Sequence, residues 1–109
     1  MVDDRLRRDQ DDLVPAIFTT PIFDAWFVKL RDRRVAARVQ ARIDRLEMGN
    51  PGDCKALGDG VLEMRIDHGP GYRVHFLRRG ETIVILLVGG HKASQAKDID
   101  TAKRIAKQV

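Results

Sequence analysis

Val61-Leu62-Glu63-Met64-Arg65-Ile66-Asp67, then Tyr72-Arg73-Val74-His75-Phe76-Leu77-Arg78-Arg79, then Thr82-Ile83-Val84-Ile85-Leu86-Leu87-Val88: these three runs decide the fold. In the first, Leu62, Met64 and Ile66 alternate with Glu63, Arg65 and Asp67, which is the two-residue period of a β-strand with one buried face. The second repeats it, with Tyr72, Val74 and Phe76 on one side and Arg73, His75 and Leu77 on the other. Gly80-Glu81 makes a tight hairpin into the third run, whose unbroken apolar character is that of a strand covered on both faces. Connections this short require antiparallel neighbours.

Working outward toward the N-terminus, Cys54-Lys55-Ala56-Leu57 reads as a further strand, joined to Val61 by a Gly58-Asp59-Gly60 turn. Ala16-Ile17-Phe18-Thr19 reads as a short first strand. Thr20 is placed to cap a helix with Pro21 in its first turn, and Phe23, Trp26, Phe27 and Leu30 recur at helical spacing as core-facing residues. Asp32 caps a second helix running from about Arg33 to Met48, which Gly49-Asn50-Pro51-Gly52 ends. At 100° per residue, Val35, Val39, Ile43 and Leu46 fall within an arc of about 80°, and Arg34, Arg38, Arg42 and Arg45 fill the adjacent arc. Toward the C-terminus, Ile99, Ala102, Ile105 and Ala106 have helical spacing, with Lys103, Arg104 and Lys107 near the end where cations suit the helix dipole. The expected fold class is α+β: an N-terminal strand and a helical hairpin on one face of a twisted, mainly antiparallel sheet, with a short C-terminal helix. Arg65, Arg73 and His75 are expected to project from the opposite face.

The composition fits one small domain, since 109 residues with 43% hydrophobic and 33% charged content allow a single core. A chain of this length buries roughly two-thirds of the surface its unfolded form exposes, so no disulfide staple is needed. Cys54 is the only cysteine and reads as a half-buried strand residue, in keeping with a reducing cytoplasm. No apolar run reaches the ~18 residues of a membrane span, and the N-terminus has no apolar signal region, so neither membrane insertion nor secretion by that route is expected. Residues 1 to 14 hold five aspartates against three arginines and lack aromatic residues and periodicity; they read as a charged, disordered extension preceding a domain from 15 to 109. Removing their negative charge makes the remainder more basic than the overall +4. Anionic partners follow: nucleic acid or an acidic protein segment.

The chemistry-bearing residues cluster in the C-terminal half. Arg65, Arg73 and His75 come from adjoining strands, and His91 and Lys92 follow the apolar strand in Gly89-Gly90-His91-Lys92-Ala93-Ser94-Gln95. No metal-ligand spacing and no nucleophile beside a base accompany them, so no metal or cofactor is expected and phosphate is the leading ligand class. The arginine shoulder of the second helix reads either as a solvated flank whose stems cover the core or as a contact surface for nucleic-acid backbone or acidic protein.

These residues resemble the RelE/ParE superfamily of bacterial toxins, specifically the addiction-module killer group related to HigB. The likeness runs from about Phe18 to Ile105, through Thr20-Pro21-Ile22-Phe23-Asp24-Ala25-Trp26, Leu30-Arg31-Asp32, Arg42-Ile43-Asp44-Arg45-Leu46-Glu47-Met48-Gly49-Asn50, Gly58-Asp59-Gly60-Val61, Glu63-Met64-Arg65-Ile66, Gly69-Pro70-Gly71-Tyr72-Arg73-Val74 and Leu86-Leu87-Val88-Gly89-Gly90-His91-Lys92-Ala93-Ser94-Gln95. It implies the toxin of a type II toxin–antitoxin module, silenced by a cognate antitoxin of helix-turn-helix type. The implied activity is metal-independent cleavage of messenger RNA on the ribosome, the 2′-hydroxyl attacking the adjacent phosphate. In the ParE branch it is instead inhibition of DNA gyrase, and a third reading is a toxin decayed to a binding partner.

By the resemblance, Arg73 stabilises the transition state, Arg65 binds phosphate, and His91 or Lys92 transfers a proton. Arg34, Arg38, Arg42, Arg45 and His75 are the expected RNA or antitoxin contacts. Glu63 departs from the pattern, standing where some RelE enzymes carry a cation, and no tyrosine follows Tyr72 to stack on a base.

Overall fold

Thr20 fixes how the first helix meets the sheet. In the computed structural model, which describes residues 15–109, its backbone is extended and its Oγ1 accepts from the Phe23 amide at 3.0 Å while donating to the Leu87 carbonyl at 2.7 Å. One buried hydroxyl therefore both caps α1 (Pro21–Val28) and ties it to the long strand that runs beneath it. Asp32 starts α2 (Arg33–Glu47) in the same manner, its carboxylate accepting from the Arg34 amide at 2.9 Å. That hydrogen bond is the first cause of the Asp32 carboxyl lying below its usual range.

The strands are β1 (Ala16–Thr19), β2 (Cys54–Gly58), β3 (Val61–Ile66), β4 (Tyr72–Arg79) and β5 (Ile83–His91). They form one sheet in the order β1-β5-β4-β3-β2, in which β1 runs parallel to β5 and every other pair is antiparallel. A short 3₁₀ turn (Lys92–Ser94) leads into α3 (Gln95–Ala106). The strands and both helical caps lie where the sequence puts them, with one extension: β5 runs on to His91, so the histidine ends the strand rather than following it. Cys54 is half-buried. The charged extension expected at 1 to 14 lies outside the described residues.

Each face of the sheet has its own core. On one face Phe23, Val35, Val39 and Leu46 of the helices close over Met64, Ile66, Val74, Phe76, Val84 and Leu86. Full burial of such side chains contributes on the order of 1.5–3 kcal/mol each, relative to exposure. On the other face Ala102 and Ala106 of α3 pack on Val61, Leu77, Leu87 and Val88. A bulge makes this possible. His75 pairs with Val88 but Phe76 pairs with Leu86, so Leu87 is an extra residue and both Leu87 and Val88 join the α3 core.

This corrects the expectation of an open second face. The terminal helix covers part of it, because the apolar β5, walled by α1 and α2 on one side only, needs cover on its other side as well. Gly89 and Gly90 are what let helices approach from both directions. A Cβ on Gly89 would sit 2.1 Å from the Trp26 ring, and one on Gly90 would sit 2.0 Å from the Asp98 carboxylate.

Candidate functional site

Strand register brings the charged residues together. Glu63 stands opposite His75, and Arg65 opposite Arg73, so the four occupy two successive rungs on the α3 side of the sheet. Two arginines directly opposed would repel, and the carboxylate one rung away offsets that repulsion. Arg65 Nε lies 3.5 Å and Arg73 Nε 3.7 Å from Glu63 Oε1, while His75 Nε2 lies 3.0 Å from Glu63 Oε2. Gln95, the first residue of α3, donates its amide to both carboxylate oxygens, at 3.2 and 3.0 Å. Glu63 is wholly buried and yet has four partners from three elements.

Burial by itself would push the Glu63 carboxyl up. The hydrogen bonds from Gln95 and His75, with the positive charge of His75 and Arg73, outweigh it and hold the carboxyl below the ordinary range. The ionised carboxylate can only accept, so His75 donates to it through Nε2. Its Nδ1 is buried without a hydrogen-bond partner.

Arg65 and Arg73 are exposed to different degrees, 44% and 15% of their side chains, and both line a depression of about 250 Å³ together with Asp53, Ile66, Asp67, Gly71 and Tyr72. Arg73 Nη1 also donates to the Gly71 carbonyl at 3.5 Å, which anchors the fork near the rim. Tyr72 is the wall shared with a second hollow, lined by Pro70, His91, Lys92 and Ala93. The Lys92 amide donates to the Gly71 carbonyl at 2.9 Å, clipping the β3–β4 turn to the end of β5 so that the two hollows stay adjacent.

His91 is exposed and meets Tyr72 edge-on, with ring centres 6.3 Å apart. Its Nδ1 accepts from the Ala93 amide at 3.2 Å. A neutral imidazole held this way carries its proton on Nε2 and presents a donor to solvent.

Of the residues expected from sequence to contact a partner, His75 cannot do so as expected: it has no exposed surface, because α3 closes over it. Its role is internal, holding Glu63. Arg42 is also committed to the fold. It donates through Nη1 to the Arg65 carbonyl and through Nη2 to the carbonyls of Pro51 and Asp53, at 3.0 and 3.2 Å. Burial, then the neighbouring Arg45, lowers its pKa, with Asp53 and Cys54 opposing. The other shoulder arginines are exposed. Arg34 and Arg38 line a groove with His68, and Arg38, Arg42 and Arg45 line the next one, which shares Ile66 and Asp67 with the Arg65–Arg73 depression. A chain of hollows thus connects α2 to the end of β5.

Glu63, Gln95 and His68 were not legible as site residues in the sequence. The signal for Glu63 was its alternation with Arg65, which puts both on one face. For His68 it was the Gly-Pro-Gly turn that follows. Among the described residues no three His, Cys, Asp or Glu side chains converge as metal ligands would, and no helix is long and apolar enough to cross a membrane.

Comparison with known proteins bears on the same region. The sequence model of the family described as "Phage derived protein Gp49-like (DUF891)" matches residues 25–108, from the middle of α1 to the penultimate residue. A protein of Haemophilus influenzae, described only as uncharacterized, is 48% identical over 93 residues, covering 85% of this chain and 94% of its own length.

Proposed function

The chain belongs to the phage-derived Gp49-like family (DUF891), and from that membership and the paired arginines we propose that it is the toxin of a toxin–antitoxin module, acting by cleavage of messenger RNA on the ribosome. The observation that carries this reading is the Arg65–Arg73 pair, two guanidinium groups lining one depression beside His91 and Lys92.

In this reaction the RNA 2′-oxygen attacks the neighbouring phosphorus, the bond to the 5′-oxygen breaks, and the products are a 2′,3′-cyclic phosphate and a free 5′-hydroxyl. Negative charge gathers on the non-bridging phosphate oxygens. Arg73, partly buried, meets that charge with a planar donor fork, where a fixed donor is stronger than in water. Arg65 binds the same phosphate from the solvent side. His91, as imidazolium, supplies the proton that the leaving 5′-oxygen needs through its solvent-facing Nε2 and is left as the neutral imidazole whose Nδ1 accepts from the Ala93 amide. Lys92 adds a second cation at that end or, as a neutral amine, takes the 2′-hydroxyl proton.

The exposed arginines of the α2 shoulder, Arg34, Arg38 and Arg45, are the surface for ribosomal RNA or for an acidic antitoxin. Expression without an antitoxin is expected to arrest growth and to produce new RNA 5′ ends confined to translated messages. Intact transcripts combined with inhibition of gyrase supercoiling by the purified protein would transfer the assignment to the ParE branch.

A further inference from the structure

The carboxylate at the centre of the cluster poses a problem, because a site for an anion is weakened by a negative charge beside it. Glu63 is fully buried, and two of its contacts are the arginines of the site itself. Were it only a charge partner for a buried histidine, removing its charge would leave more positive potential for a phosphate. Its contacts suggest otherwise. It meets both arginines through Nε, the nitrogen nearest the chain, and so does not occupy their terminal nitrogens; both side chains line the depression, and Arg73 Nη1 donates to the Gly71 carbonyl at 3.5 Å.

We propose that Glu63 is a positioning residue that holds Arg65 and Arg73 by their Nε atoms, so that their terminal nitrogens converge on a single phosphate group. The inference deepens the anion-site reading above and rests on it. Three observations support it. Arg65 and Arg73 are directly opposed across β3 and β4, where like charges separate unless a counter-charge lies between them. Glu63 is itself fixed from two further directions, by His75 Nε2 and by the Gln95 amide at the start of α3, so its carboxylate cannot follow a moving arginine. The Arg73 contact is 3.7 Å, beyond hydrogen-bond length, and Arg73 Nε is buried without a hydrogen-bond partner. The carboxylate thus orients the fork by charge and leaves Arg73 room to tighten on a ligand.

The test is the sign of a change in phosphate affinity. Inorganic phosphate is titrated into the purified full chain and into its Glu63→Gln variant, following the arginine Nε–H resonances by NMR, with Arg73→Ala as the control that assigns binding to this site. Positioning predicts weaker phosphate binding in Glu63→Gln, by about tenfold, the scale of one lost charge-assisted hydrogen bond. It also predicts that the two Nε–H signals, distinct and slowly exchanging in the wild type, merge with those of the solvent-exposed arginines. Tighter or unchanged binding would overturn the proposal, as would wild-type binding that Arg73→Ala does not affect. A purely structural Glu63 would lower the melting temperature and leave affinity per folded molecule unchanged.

Should Glu63→Gln not fold, Gln95→Leu removes the amide that steadies the carboxylate while keeping the carboxylate charge; it is expected to weaken phosphate binding by a smaller factor, and unchanged affinity would count against the proposal. Phosphate binding does not depend on RNA cleavage. A chain that binds phosphate as described but cuts no RNA would refute the ribonuclease reading and leave this inference standing.

Discussion

The two faces of the sheet are built on opposite principles. Beneath α1 and α2 the contacts are apolar, and ten buried residues form a continuous dry core. Beneath α3 the apolar contacts are confined to one end, and the rest of the face carries a buried carboxylate, a buried histidine and two arginines at its margin. The first arrangement stabilises through area removed from water and tolerates change in proportion to volume. The second depends on the buried carboxylate and on the two groups that hydrogen-bond to it, His75 and Gln95. Stability is thus drawn mainly from one side of the sheet, and the arginines proposed to bind phosphate are held on the other, at the margin of a buried hydrogen-bonded group.

Glu63→Leu should break this contrast most visibly. It leaves the buried His75 and the half-buried Gln95 amide without their acceptor and the two arginines opposed, and removal of one member of a buried charged group costs about 3–5 kcal/mol. Chemical denaturation should show that loss together with loss of RNA cleavage. A variant as stable as the wild type would mean that the network is dispensable.

Met64→Ala, one residue along on the opposite face, should cost about 2–5 kcal/mol by leaving a cavity in the dry core. Activity per folded molecule should not change. Reduced cleavage at full folding would show that the two faces are coupled more tightly than their contacts indicate.

Acid should separate the faces without mutation. The folded-state pKa of Glu63 is depressed, so its contribution to stability is fully present above the unfolded value of about 4.3 and is lost as pH falls through the lower folded value. Thermal melts taken downward from pH 7 should show the wild type losing its advantage over Glu63→Gln only below about pH 4.3. A difference independent of pH would mean that Glu63 is not ionised in the folded protein.

The smallest effects belong to the α2 shoulder. Arg42→Ala removes donors to three backbone carbonyls and should cost about 1–3 kcal/mol, whereas Arg38→Ala, exposed, should stay within about 0.5 kcal/mol. Equal effects on stability would show that the carbonyl contacts of Arg42 do not matter.

Most of the fold was legible in the sequence because it follows from local rules: two-residue alternation for β3 and β4, side-chain caps at Thr20 and Asp32, and an apolar run for β5. The position of α3 was not. Its buried positions are the small residues Ala102 and Ala106, which mark a helix but say little about what it covers. The site was half legible for a related reason. Alternation places Arg65, Arg73 and His75 on one face, but only the pairing register sets Glu63 opposite His75, and only α3 brings Gln95 to the same carboxylate. Arg38 and Arg42 are alike in the helical wheel, and the Asn50–Asp53 turn distinguishes them by offering carbonyls to one alone.

The central claim is that the arginines held on the α3 face form the working site. Its most direct test is the rate of messenger RNA cleavage on translating ribosomes by the wild type and by Arg73→Ala, with the melting temperature of each measured in parallel. Arg73 is at the margin of the network and outside both cores, so the variant should fold and melt near the wild type while cleavage slows by about 10²-fold or more, the usual cost of losing one transition-state donor. Cleavage at the wild-type rate, or a loss matched by an equal loss of stability, would contradict it.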